Sequence, residues 1–315
     1  MPVRRRRRVS VLGGLGLGLG LACIVTACLG PSPTPVPSSA LAPTAAPTAS
    51  PIPSASPIAT VAPSPAPTAA ALVTRCPGTD NTPGAAAGRL ATGSSANWSG
   101  YVAAVKKTGV TCVEASWVEP RITCPKTGHQ AVAIWIGIDG FSSQLLGIAS
   151  TTSLIQIGTQ ADCNNGQASH SGWHEVLPTE PHEVPIFGTL HAGDHITARV
   201  LFTGGLFVMT LVDRESALSF SLSEAASGAP RHSAEWIVEA PATDCPGTCK
   251  PVPLPKFTVI TFTGAHATIN GHRAAIDDDH WTHIRLGMSR NGIVRTKTSG
   301  LSTSGTSFKV TWVHS

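Results

Sequence analysis

The sequence predicts an all-β protein, folded as a β-sandwich or a β-barrel, from three observations. From about residue 97 the chain consists of short apolar or alternating runs separated by Gly, Pro, Asn and Asp. Almost none of these runs has the 3.6-residue period of an amphipathic helix. Of the 315 residues, 42% are hydrophobic and only 13% are charged, which is typical of an exported chain with a large core. Many short strands at this spacing favour a sandwich or a barrel.

The strands are predicted in chain order from these runs. The run at residues 130–138 is almost continuously apolar and predicts a buried central strand. The other predicted strands span residues 97–105, 112–118, 154–157, 186–190, 195–202, 206–213, 235–239, 257–262 and 308–313. The sequence shows no internal repeat, no Gly-rich phosphate loop and no serine-centred nucleophile elbow, so it gives no support to nucleotide binding or serine-hydrolase chemistry.

The amino terminus, residues 1–28, has the three parts of a secretory signal: an arginine run, an apolar segment, and small residues before a cysteine. The last four residues, Val-Thr-Ala-Cys, are similar to a bacterial lipobox, in which Cys28 would be lipidated. The alternative is an uncleaved spanning helix, because about 20 apolar residues can cross a bilayer. In either case the rest of the chain is expected outside the cytoplasm, as a cell-surface lipoprotein or a secreted protein.

Residues 29–75 are predicted to be a linker. The stretch 31–71 is almost entirely Pro, Ser, Thr, Ala and Val and carries no charge, so it cannot bury enough apolar surface to offset the entropy of ordering. A folded domain is therefore expected at residues 76–315.

The net charge of +4 is dominated by the amino-terminal arginines. Subtracting the five arginines at positions 4–8 from the 22 basic residues leaves 17 against 18 acidic residues. The expected mature chain therefore lacks the basic surface of a nucleic-acid-binding protein. No nucleic-acid partner is predicted.

Six cysteines follow Cys28, and an even number in an exported chain predicts three disulfides. Cys245 and Cys249 are close in sequence and would close a small loop. Among the other four, we prefer Cys124 with Cys163 and Cys76 with Cys112, although other pairings remain open. A zinc site is the rival interpretation, but no second Cys-x-x-Cys or His pair stands at ligand spacing.

The strand predicted around residues 233–241 carries two carboxylates on one face. Side chains alternate along a strand, so Glu235, Ile237 and Glu239 share one face while Trp236 and Val238 share the other. Crowded carboxylates raise one another's pKa, which suits an acid or base catalyst. The bland alternative is a half-buried strand with a solvated glutamate face.

A single glutamine, Gln156, interrupts the apolar strand Leu-Ile-Gln-Ile. An amide in such a strand costs free energy unless it finds partners. Its donors and acceptor do not titrate, so it can hold a water or donate to an oxyanion. The alternative is a glutamine that faces solvent.

Five short motifs, in order, resemble those of the eqolisin family of glutamic peptidases, and the resemblance spans about residues 95–315. The motifs are Asn-Trp-Ser-Gly at 97–100, Trp-x-Gly-x-Asp-Gly at 135–140, Ile-Gln-x-Gly at 155–158, Trp-x-Glu at 173–175 and Ala-Glu-Trp-Ile-Val-Glu at 234–239. One departure concerns the substrate pocket: the family is rich in tyrosine and tryptophan around Trp173, whereas the only tyrosine of this chain is Tyr101.

The resemblance implies a concanavalin A-like, lectin-like sandwich of two antiparallel sheets. It also implies an acid endopeptidase in which Gln156 and Glu239 activate a water, with no metal or cofactor. The expected substrate-binding residues are Trp98, Trp135, Asp139, Gly140, Trp173, Glu175 and Glu235. A carboxylate base works best near its own pKa, about 4.3 when unperturbed, so an acidic optimum is expected.

Two other functions compete with a peptidase. The spacing of Glu235 and Glu239 is that of a laminarinase-type glycoside hydrolase, but Ile237 stands where that enzyme needs Asp. A non-catalytic lectin-like binding module is the third candidate, because fold does not fix function.

The expected partner is a protein or peptide substrate, any membrane contact is through a lipid anchor or an uncleaved signal, and a monomer is expected. The acidic run at 277–280 is interpreted as a turn, since no further calcium ligands stand at a recognisable spacing.

Overall fold

The computed structural model describes residues 75–80, 88–180, 182–187, 189–216, 218–243 and 250–315. The predicted signal, Cys28, most of the predicted linker and the predicted pair Cys245 and Cys249 lie outside the described residues. No α-helix occurs in these described ranges, and hence none long and apolar enough to cross a membrane.

The described chain consists of β-strands joined by turns. Their bounds are β1 Thr79–Asp80, β2 Arg89–Ser95, β3 Trp98–Ala104, β4 Val110–Val118, β5 Ile122–Thr123, β6 His129–Asp139, β7 Leu154–Asn164, β8 Gln167–Leu177, β9 Val184–Phe187, β10 His195–Thr203, β11 Leu206–Asp213, β12 Leu218–Glu224, β13 Ser233–Glu239, β14 Ala242–Thr243, β15 Lys250–Pro251, β16 Lys256–Phe257, β17 Ile260–Ile269, β18 His272–Ala275, β19 Thr282–Arg290, β20 Ile293–Val294, β21 Thr296–Thr298 and β22 Phe308–Trp312.

Two large sheets account for most of these strands. The first has the order β1-β18-β17-β4-β10-β11-β12, with β22 joined to β17 and β21 joined to β22. The second has the order β2-β19-β3-β13-β6-β7-β8-β9, with β20 joined to β19. The predicted β-sandwich is therefore the observed fold, and the barrel alternative is not.

The prediction of purely antiparallel sheets is wrong at two edges. Strand β1 pairs with β18 in parallel, and β2 pairs with β19 in parallel. Both edge strands come from the start of the folded region and join partners about 190 residues later, so no hairpin fixes their direction. The period-two pattern of a strand does not encode this choice.

The core lies between the two sheets and is closed by large side chains from both. Trp117, Trp236 and Phe262 are almost completely buried there. The indole N–H of Trp236 donates to the backbone oxygen of Glu114 at 3.0 Å, and that of Trp117 donates to Thr159 Oγ1 at 3.1 Å. Each buried indole thus has the partner it requires, and each bond links one sheet to the other.

Two disulfides are formed among the described residues, Cys76–Cys112 and Cys124–Cys163. They are the pairing preferred from the sequence for these four cysteines. The first attaches the segment before β1 to β4, so the folded unit includes Cys76. Disulfides of this kind indicate an oxidising, extracytoplasmic environment.

Candidate active site

The candidate site lies on the outer face of the second sheet, opposite the core. In β13, β6, β7 and β8 the core-facing residues are mainly apolar, with Thr159 and His174 as polar exceptions, while the alternate residues face outward. Register sets a polar row across this face, because Glu235 is opposite Gly137, Gly137 is opposite Gln156, and Gln156 is opposite Glu175. Glu239 lies on the same face, one strand beyond β6 and four residues further along β13. The strand period therefore brings the predicted catalytic pair to one surface.

Tryptophans form the floor of this surface. Trp135 of β6 is fully buried and makes an edge-to-face contact with Trp98 of β3, with ring centroids 5.0 Å apart. Gly158 lies opposite both Trp135 and Trp173. A Cβ at Gly158 would lie 2.3 Å from the backbone oxygen of Ile134 and 2.5 Å from the Cβ of Trp135, so a side chain there would push β7 away from β6 and from Trp135. The Gly of the Ile-Gln-x-Gly motif thus makes room for the aromatic floor.

Glu239 is partly exposed and is held by two neutral donors. Asn97 Nδ2 donates to its Oε1 at 2.8 Å, and Trp135 Nε1 donates to its Oε2 at 2.9 Å. Burial raises the pKa of Glu239 to about 8, against the opposing effect of hydrogen bonds from Trp135 and Trp98. The charges of Glu175 and Glu183 raise this pKa further, which shows that those carboxylates share the site.

Gln156 is paired with Glu175 across the β7–β8 ladder. Gln156 Nε2 donates to Glu175 Oε2 at 2.6 Å. Gln156 Oε1 is buried and has no hydrogen-bond partner among the described residues. Burial raises the pKa of Glu175 to about 7, and repulsion from Glu183 and Glu180 adds to this. The result is a neutral amide with one acceptor still unused beside a carboxyl that is protonated in acid.

Two predicted cleft residues, Asp139 and Glu235, do not line the surface, because both are fully buried. The carboxylate of Asp139 accepts hydrogen bonds from the backbone amides of Arg231 and His232 at 2.8 and 2.7 Å. Asp139 and Gly140 both have positive φ, 72° and 98°, so this Asp-Gly pair forms a tight turn at the end of β6. The Asp is therefore an anchor of that turn, not a substrate contact.

Glu235 differs from Asp139 in the hydrogen bonding of its buried carboxyl group. Neither of its carboxylate oxygens has a hydrogen-bond partner within the described part of the chain. Burial raises its pKa well above the ordinary value, although the Ser233 hydroxyl and the Phe141 backbone act in the opposite direction. Glu235 is therefore a covered carboxyl beneath the surface, and Glu239 is the carboxyl that a substrate can reach.

Sequence reasoning missed Asn97 as a member of the site. It lies in the Asn-Trp-Ser-Gly motif, and the following residue, Trp98, is opposite Glu239 in the β3–β13 register. That register was the missing information, because nothing in the local sequence connects residue 97 with residue 239. Trp173 packs in the same apolar cluster as Trp98 and Trp135, and its indole N–H has no partner among the described residues.

The sandwich and this carboxyl–amide surface define a hydrolase of the glutamic endopeptidase class. The chain matches the model of the Peptidase A4 family over residues 96–312. It therefore belongs to the Peptidase A4 family, also called the eqolisins. It is 26% identical to aspergillopepsin-2 of Aspergillus niger over 241 residues, which are 70% of this chain and 78% of that protein.

Solved structures have the same fold. A scytalido-glutamic peptidase with a transition state analog inhibitor matches with a TM-score of 0.57 at 23% identity, covering 69% of this chain and 98% of that chain. The eqolisin SCP-B, in a complex with the tripeptide Ala-Ile-His, matches with a TM-score of 0.54 at 23% identity over the same shares of the two chains.

The raised pKa values of three carboxyls predict a stability that falls with increasing pH. Glu175, Glu235 and Glu239 have folded-state pKa values above the unfolded value of 4.5, so their stabilising effect is complete below pH 4.5 and is lost as pH rises through the folded values. Each group lowers the free energy of unfolding by about 1.4 kcal/mol per pH unit while it is protonated only in the folded state. The window from pH 6.5 to 8.5 avoids the opposing titration of His266 and His283, whose pKa values are lowered by partial and by nearly complete burial.

We therefore expect the melting temperature to decrease from pH 6.5 to 8.5 and to decrease less steeply in Glu235→Gln, which removes one titrating group. Thermal unfolding of both proteins across this range checks the expectation. A wild-type melting temperature that increases with pH would contradict it, and so would equal slopes for the two proteins.

Proposed function

We propose that the chain is an acid-active endopeptidase, secreted or tethered at the cell surface, in which Gln156 and Glu239 activate a water against the peptide bond. One observation carries the proposal: both side chains project from the same outer face, on the strands that flank β6. The Gln156–Glu175 bond and the effect of Glu175 on the pKa of Glu239 connect the two groups through one polar surface. A peptide lying across β6 would contact both.

Glu239 begins the reaction protonated, because its pKa is about 8. A protonated carboxyl has one O–H donor and an acceptor oxygen, so it can give and take a proton in one step. Water attacks the scissile carbonyl carbon while one Glu239 oxygen accepts a water proton and the Glu239 O–H protonates the carbonyl oxygen. The products are a neutral tetrahedral diol and a Glu239 that is again protonated.

In the second step Glu239 donates its proton to the amide nitrogen and accepts one from a diol hydroxyl. The C–N bond breaks, a carboxylic acid and an amine leave, and the enzyme regains its starting protonation state. Gln156 assists in both steps. Its unused Oε1 accepts a hydrogen bond from the attacking water, and its amide N–H donates to the carbonyl oxygen as charge develops there.

The raised pKa changes the reason for acid activity. The sequence predicts an acidic optimum from an unperturbed carboxylate base, whereas the proposed mechanism needs the protonated form of Glu239. Activity is therefore expected throughout the acid range and should decrease as pH rises through about 7 to 8, where Glu175 and then Glu239 ionise. A flat or alkaline profile of peptide hydrolysis contradicts this.

Glu175 is proposed as a positioning residue for the amide of Gln156. Glu175→Gln retains a carbonyl oxygen for Gln156 Nε2 but cannot ionise, so we expect nearly wild-type kcat/KM at pH 4 and a decline that begins at higher pH. Glu175→Ala removes the partner and is expected to lower kcat/KM by about 10- to 100-fold at every pH. The pH profiles of both variants test this role, and a wild-type rate in Glu175→Ala would refute it.

The burial of Glu235 counts against a glycoside hydrolase. That function needs two accessible carboxyls on either side of one sugar, whereas Glu235 is fully buried. The experiment that tests the proposed function is hydrolysis of a protein substrate at pH 3 to 4, with pepstatin present to inhibit any contaminating aspartic peptidase. A β-glucan assayed in parallel separates the two enzyme classes.

A further inference from the structure

A cluster of two histidines and one aspartate lies outside the candidate active site. His272 is the first residue of β18, which belongs to the first sheet, whereas Gln156 and Glu239 are on the second. Asp278 and His280 follow in the turn that leads to β19. One potential ligand atom from each of the three lies within 4.8 Å of the other two.

The carboxylate of Asp278 is shared between the two imidazoles. His272 Nε2 lies 3.3 Å from Asp278 Oδ2, and His280 Nδ1 lies 2.7 Å from Asp278 Oδ1. The two imidazole rings have centroids 4.2 Å apart. Both carboxylate oxygens are thus engaged. Two imidazoles meet at one buried carboxylate, although a single protonated imidazole would neutralise its charge.

This arrangement has the ligand types and spacing of a zinc-class site. Imidazole nitrogen and carboxylate oxygen are ordinary ligands of Zn²⁺ at about 2.0 to 2.2 Å, which places tetrahedral ligand atoms about 3.4 Å apart. The separation of 3.3 Å between His272 Nε2 and Asp278 Oδ2 has this value. His280 Nδ1, at 2.7 Å from Asp278 Oδ1, is at hydrogen-bond distance, so this exposed side chain must move outward to bind the same ion. Asp279 adds a second carboxylate, with its Oδ1 3.0 Å from His280 Nδ1.

The cluster is packed against the protein on the side of Asp278 and is open to solvent on the side of His280. The Asp278 side chain is only 3% exposed, and the backbone amide of His280 donates to its Oδ1 at 3.0 Å. The ring of Trp281 lies 6.1 Å from that of His272 and packs behind the cluster. The His280 side chain is 58% exposed, so an ion can enter from solvent and keep water in its remaining positions.

We propose that His272, Asp278 and His280 bind one divalent transition-metal ion of the zinc class. The ion would tie the start of β18 to the turn before β19, at the edge of the sheet where β1 is added. The sequence alone predicts only an acidic turn here and no metal site. The proposal does not depend on the peptidase mechanism.

The test is titration of the purified full chain, made without a polyhistidine tag, with ZnCl₂ at pH 7.5 by calorimetry. We expect one ion to bind per chain and the affinity to be at least about tenfold weaker in His272→Ala and in His280→Ala. His195→Ala is the matched control, because His195 is also 58% exposed and also pairs with a carboxylate, that of Glu215. Its affinity should equal that of the wild type.

Two further readouts make the outcome decisive. Co²⁺ in place of Zn²⁺ should give a visible absorption band that is lost in His280→Ala, and Zn²⁺ should raise the melting temperature of the wild type but not of that variant. His280→Ala decides the matter if His272→Ala does not fold, since the His280 side chain is exposed. No saturable binding, or equal binding by the wild type and His280→Ala, would overturn the proposal, as would a loss of affinity in His195→Ala alone.

Discussion

Glu239→Gln is expected to lower kcat/KM for a protein substrate at pH 4 by about 10³-fold or more while the fold is retained. The glutamine keeps the shape of the side chain and can still accept the hydrogen bond from Trp135 or Asn97. It cannot exchange protons with water, the carbonyl oxygen and the leaving amine, and this exchange is the role assigned to Glu239. The measurement is a steady-state rate with pepstatin present, together with a melting temperature that shows the variant to be folded.

Glu235→Gln is the matched control for this experiment. It makes the same chemical change four residues earlier on the same strand, at a position on the same side of the strand. Because Glu235 is fully buried and a substrate does not reach it, its amide variant should keep kcat/KM within a few-fold of the wild type. If Glu235→Gln were inactive and Glu239→Gln active, the assignment of the two carboxyls would be reversed.

Gln156→Ala is expected to cause the second largest loss, about 10²- to 10³-fold in kcat, with a smaller change in KM. The variant removes the donor for the developing oxyanion and the acceptor for the attacking water. It also leaves Glu175 without its partner at 2.6 Å.

Gln156→Glu is the informative companion to this variant. It has the same size, but it adds a third ionisable carboxyl beside Glu175 and Glu239, so its remaining activity should be confined to lower pH than that of the wild type. Wild-type kcat in Gln156→Ala would show that the glutamine has only a structural role.

The strand period predicted that Glu235 and Glu239 share one face of their strand, whereas the pairing of Glu239 with Gln156 was predicted from the family resemblance. Glu239 and Gln156 each occupy one of the alternate positions of their strand that do not face the core, and in the structure both lie on one outer surface. The sequence could not show that Glu235, with the same period, is covered. Its burial depends on the turn at residues 139–141, which folds over β13 from another part of the chain.

Long-range pairing explains the other differences. Strand β8, Gln167–Leu177, was predicted only as a Trp-x-Glu motif, because its first half is polar and hides the alternation. The parallel edge strands and the contact between Asn97 and Glu239 also depend on register between distant segments. The raised pKa of Glu239 follows from burial in the folded state, so it could not be predicted from the sequence, and the acidic optimum was expected for a different physical reason.

The double variant Gln156→Ala/Glu239→Gln tests most directly whether the amide and the carboxyl act as one unit on one water. Groups that act together lose their effect together, so kcat/KM of the double variant should be within a few-fold of that of Glu239→Gln alone. If the two losses instead multiply, the residues work independently, and the shared-water mechanism is wrong.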